Sequence, residues 1–77
     1  MKKRSDIHIV AEAGTRVWKV RQGGLTLSRH RTQKTAMSIG RRRARHDRVD
    51  LVTHGRNSRI RSKDSYRNES PATDREH

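Results

Sequence analysis

The chain has 77 residues, with 20 Lys and Arg against 8 Asp and Glu, a net charge of +12 and a hydrophobic share of 27%. That length holds one small domain at most and leaves little room for a large enclosed pocket. The absence of cysteine excludes a disulfide scaffold, and no apolar run approaches the roughly 18 residues needed to cross a bilayer.

Residues 1–5 read as a basic N-terminal arm. The charged start Met1-Lys2-Lys3-Arg4 lacks the apolar stretch of a signal peptide, since Ile7-His8-Ile9-Val10-Ala11 stops at Glu12. A cytoplasmic protein without membrane contact is therefore expected. A single domain over 6–67 follows. Ile7-His8-Ile9-Val10 is a short β-rich run, and Trp18-Lys19-Val20-Arg21 alternates with the period of a half-buried strand. Gly23-Gly24 predicts a tight hairpin, and Leu25-Thr26-Leu27-Ser28-Arg29 alternates again.

The period then changes. Thr32 is placed to cap a helix, and Ala36, Ile39, Gly40 and Ala44 fall on one helical stripe with Met37 beside it. Arg43 also falls inside that stripe, so it must reach past the sheet edge or the last turn must fray. Strand signals return in Val49-Asp50-Leu51-Val52-Thr53 and in Arg59-Ile60-Arg61, separated by the turn-rich His54-Gly55-Arg56-Asn57-Ser58. Residues 68–77, with Pro71 and no apolar period, read as a flexible tail.

The expected fold is a small two-layer α+β domain of order β-β-β-α-β-β, its helix packed on an antiparallel sheet. The expected core is Ile7, Ile9, Trp18, Val20, Leu25, Leu27, Ala36, Ile39, Leu51, Val52 and Ile60. So small a core is marginal alone, which makes a homodimer a reasonable expectation.

The Val17-Trp18-Lys19-Val20 strand, the Thr-started helix and the run from Leu51-Val52 through His54-Gly55-Arg56 and Ile60-Arg61 to Asp64-Ser65-Tyr66 resemble a small prokaryotic family, domain of unknown function 2188. The resemblance covers about Ile7 to Pro71. It implies a compact sheet-and-helix fold and carries no established activity. Asn57-Ser58 stands where the pattern has Asp-Gly, which implies a looser hairpin turn. Arg43 stands where an apolar residue is usual, Arg67 where a Gly is usual, and Glu69-Ser70-Pro71 lies near the usual Asp-Pro pair. The Arg-dense helix is a local departure from a helix of mixed charge.

Charge is unevenly spread. Residues 16–63 hold fifteen basic residues and only Asp47 and Asp50 as acids, whereas residues 64–77 are net acidic. The positive field thus belongs to the segment that folds. Arg41-Arg42-Arg43-Ala44-Arg45 is the densest run, and like charges on a helix repel by tenths of a kcal/mol per pair. A phosphate-facing surface gives that repulsion a use; Arg bias in the proteome is the bland alternative. Arg59, Arg61 and Lys63 are expected on one strand face opposite Ile60, with Arg56 nearby, and Lys19 and Arg21 opposite Trp18.

The candidate contacts are Arg41, Arg42, Arg45, Arg59 and Arg61, with Lys34 and Lys63 at the margin. The ligand is nucleic acid, DNA or RNA, with a duplex favoured because no exposed ring offers a stacking platform for single strands. Trp18 reads as core and Tyr66 as an anchor for the tail. No histidine pair has helical zinc spacing, and neither a nucleophile motif nor a cluster of carboxylates is present, so no metal, cofactor or enzyme activity is expected. The alternative is a protein-interaction or inhibitor module that docks on an acidic partner or in the nucleic-acid channel of a larger complex.

Overall fold

The computed structural model describes residues 5–66. The tail expected at 68–77 and the arm expected at 1–5, Ser5 apart, lie outside the described residues. The elements are β1 (Ile7–Ala11), β2 (Trp18–Gln22), β3 (Leu25–His30), α1 (Gln33–Asp47), β4 (Leu51–His54) and β5 (Ile60–Asp64). The α+β class and the element order match the sequence reading.

The sheet is mixed where an antiparallel one was expected. Its strand order is β3-β2-β1-β4-β5, and β1 pairs with β4 in parallel, Ile7 opposite Leu51 and Ile9 opposite Thr53. The cause is topological. Two hairpins return β3 to the direction of β1, and α1 then carries the chain back across the sheet. A helical crossover delivers its next strand in parallel, which no tight hairpin can do.

Helix α1 starts as its sequence predicts. Thr32 is extended, at φ −126° and ψ 152°, and its Oγ1 accepts from the Thr35 amide at 3.1 Å. The helix ends at Arg48, in the left-handed region at φ 57°, whose amide reaches the carbonyls of Ala44 and Arg45. The buried residues of the helix are Ala36, Gly40 and Ala44, a stripe of small side chains facing Ile7, Ile9, Trp18, Val20 and Leu51. Val49 completes the core, with Met37, Ile39 and Tyr66 packed at its margin. Arg43 stays exposed and pairs along its own helix: its Nε lies 3.1 Å from the buried Asp47 carboxylate, which also accepts from Gln22 Nε2 at 3.0 Å. No helix among the described residues is long and apolar enough to cross a membrane.

Three expected core residues are not core. Leu25 is 68% exposed, Leu27 40% and Ile60 64%. All lie on the two edge strands, beyond the strip that a single helix covers. Bulges also displace two of them. The register shifts between Val20 and Arg21, so Ser28 and Thr26 are paired and Leu27 is left between them. A second shift between Thr53 and His54 pairs Ile60 with His54, on the face turned from the helix.

The β4–β5 hairpin is not loose. The Gly55 amide donates to the Arg59 carbonyl at 2.8 Å, the Ser58 amide to the Gly55 carbonyl at 3.0 Å, and the Arg59 amide to Asn57 Oδ1 at 3.1 Å. Ser58 closes the turn at φ 70°, a left-handed conformation that Gly adopts without strain. Ser58→Gly is therefore expected to stabilise the domain by about 0.5–1 kcal/mol. Urea unfolding midpoints compare the two; an unchanged or lower midpoint would contradict the strain.

Candidate functional site

The outward side of α1 carries four candidates. Ser38, Arg41, Arg42 and Arg45 line a shallow depression along the helix. Ser38 and Arg41 also border a deeper recess of about 370 Å³ between α1 and the β4–β5 edge, lined further by Gln33, Lys34, Met37, Thr53, Arg61 and Ser62. The two depressions share residues and so form one continuous strip. No carboxylate lines either of them. Lys34, Arg41 and Arg42 are exposed and make no ion pair among the described residues.

Arg61 joins this strip because of the second bulge. Thr53 pairs with Ser62 and His54 with Ile60, so Arg61 is the extra residue and turns to the helix side with Ser62. Its Nη1 donates to Gln33 Oε1 at 2.6 Å, while Gln33 Nε2 donates to the His54 carbonyl at 3.0 Å. One amide thus ties the first turn of α1 to the end of β4 and holds the guanidinium in place.

The remaining two candidates stand apart. Lys63 lies opposite Val52, on the sheet face away from the helix, and its Nζ is 3.6 Å from Asp50. Arg59 is exposed beside the hairpin tip and lines neither depression. The single face expected for Arg59, Arg61 and Lys63 is split by the bulge, which strict alternation cannot foresee. Lys19 and Arg29 face each other across β2 and β3, and Arg29 is 3.5 Å from Glu12. Arg56 caps the core instead: its guanidinium lies 4.9 Å from the ring centre of the buried Trp18, and its Nη1 donates to the Thr15 carbonyl.

The sequence reading missed Gln33, Ser38, Thr53 and Ser62. Thr53 is the one with a signal, a hydroxyl ending an apolar run. It is fully buried, and its Oγ1 has no hydrogen-bond partner.

The open sheet face holds a histidine pair. His8 and His54 stack with ring centres 5.2 Å apart, and His8 Nδ1 lies 2.9 Å from His54 Nε2. His54 Nδ1 faces the Ser58 carbonyl at 3.3 Å, so it carries the proton there, and Nε2 accepts from His8. Burial, with the charges of His54 and Arg21, holds His8 below the usual imidazole range against the opposing pull of Asp6. A depressed folded value means that the unfolded chain takes up the proton first. The stabilisation is complete above the ordinary value and fades as pH falls through it. The melting temperature is expected to drop between about pH 7.5 and about pH 5, and to drop less in His8→Asn. Parallel pH profiles of the two proteins would contradict this. Among the described residues no group of three or more His, Asp or Glu side chains is arranged to hold a metal.

Comparison with family models gives a match. A family model described as an uncharacterised protein conserved in bacteria, DUF2188, matches residues 7–66. No curated protein matches the chain, and no solved structure does. The match spans every element of the sheet and the helix, so the chain belongs to this bacterial DUF2188 family.

Proposed function

We propose that the protein is a non-enzymatic nucleic-acid-binding module, cytoplasmic, that holds the phosphate backbone with little sequence preference. The observation that carries this reading is the carboxylate-free strip of Arg41, Arg42, Arg45, Lys34 and Arg61 along one side of α1. Off the strip, Asp47 sits against Arg43 and Asp50 against Lys63.

Each phosphate neutralised by an arginine releases condensed counterions, a gain that needs no reading of bases. The exposed heads also lack flanking aromatic rings, which favours a duplex or structured strand over an unpaired one. Binding of labelled duplex DNA and duplex RNA, measured across salt, tests the proposal. Affinity should fall with a logarithmic slope of about −0.9 per phosphate contact on DNA, three to five contacts being engaged. No binding at low salt would overturn it.

A further inference from the structure

We propose that the recess between α1 and β5 is a site for a phosphomonoester, the terminal phosphate of a nucleotide or of a strand end. Part of this rests on the nucleic-acid reading above, because the strand end is one of the two sources.

Thr53 is the first reason. Its side chain is fully buried in the wall of the recess, yet its Oγ1 finds no acceptor or donor in the fold. An unpartnered buried hydroxyl costs the fold a hydrogen bond, and a ligand oxygen in the recess would supply the missing partner. The oxygens of a phosphate accept from such a group.

The second reason is the convergence of charge. Lys34 and Arg41 come from α1 and Arg61 from the bulge of β5, three cations around one recess with no acid among its lining residues. Lys34 and Arg41 make no ion pair among the described residues, and Arg61 is held by an amide and not a carboxylate. A phosphomonoester is close to a dianion at neutral pH, whereas each diester of a continuous backbone carries a single charge. Three cations about one point match the former, and the open line of Arg42 and Arg45 matches the latter. Ser38 and Ser62 add hydroxyl donors, and Met37 gives the wall an apolar patch for a sugar or base.

The test uses the full chain and two pairs of probes. The first pair is adenosine 5′-monophosphate against adenosine, followed by amide shifts and calorimetry. The monophosphate should bind and shift the amides of Thr53 and Ser62, and adenosine should not. Thr53→Val and Lys34→Gln should each weaken the monophosphate about five- to tenfold, and Lys19→Gln, off the strip, should leave it unchanged. Thr53→Val should melt no lower than the parent, so that its loss of binding is not a loss of fold. Equal behaviour of the two probes, or undiminished binding by both Thr53→Val and Lys34→Gln, would overturn the proposal.

The second pair is a short duplex with and without a 5′-phosphate. Tighter binding of the phosphorylated end supports the strand as source. Equal binding of both duplexes, with the monophosphate still bound, supports the free nucleotide and leaves the backbone reading intact. Loss of all duplex binding with the monophosphate retained defeats the backbone reading alone.

Discussion

Gly40→Val is expected to unfold the domain, or to leave it folded only at low temperature. Gly40 sits at the middle of the small-residue stripe, where α1 lies closest to the sheet. A β-carbon added there would meet Ile9 Cδ1 at 2.6 Å, Leu51 Cδ1 at 3.1 Å and Ile7 Cγ2 at 3.4 Å. None of these three side chains has any exposed surface, so none can move into solvent. Overpacking of this kind costs about 1–3 kcal/mol and at times more, and valine adds three carbons at a point with no free space. A total near 4 kcal/mol is comparable with the whole stability of a chain of this size.

Alanine separates the two opposing effects at this position. Gly40→Ala gains about 1 kcal/mol of helix propensity and loses more than that to the clash, for a net loss near 1 kcal/mol. Ile9→Val removes the offending Cδ1 and alone costs about 1 kcal/mol through a small cavity. Together the two changes should cost clearly less than their sum, since each makes room for the other. Chemical unfolding of the four proteins measures the coupling. Simple additivity, or a Gly40→Val protein as stable as the parent, would mean that the helix does not approach the sheet this closely.

The stripe was readable because helical periodicity reports which residues share a side. Ala36, Gly40 and Ala44 are four apart and buried, and Thr32 caps where its hydroxyl predicts. Period-two alternation located β1 and β2 and the inward set Ile7, Ile9, Trp18 and Val20. It failed on the edges. Leu25, Leu27 and Ile60 alternate as core residues do, but one helix covers only the middle of a five-stranded sheet. A bulge is one extra residue with no fixed composition, so neither that in β3 nor that in β5 shows in the pattern. The parallel β1–β4 pair depends on where the crossover lands, which is a tertiary choice. For the candidate site, Arg41, Arg42 and Arg45 were legible as an outward arc. The recess was not, since Gln33, Thr53, Arg61 and Ser62 come from three elements and meet only after folding.

Replacing Arg41, Arg42 and Arg45 together by Gln is expected to weaken duplex DNA binding about 500-fold at about 0.1 M salt, because each contact contributes about 0.9 logarithmic units there. The salt slope should shrink by nearly three for the same reason. The fold should survive, because all three side chains are exposed and their removal relieves repulsion along the helix. The decisive comparison is a second triple, Arg16, Lys19 and Arg29 to Gln, with the same loss of net charge. Those residues lie off the strip, and Arg29 already faces Glu12. A diffuse field would respond to both triples alike, since at about 0.1 M salt charges separated by more than about 10 Å are screened from one another but still sum over a long polyanion. A localised surface responds to the first and barely to the second. Equal losses in affinity and slope would therefore assign the binding to net charge alone and remove α1 as the contact surface.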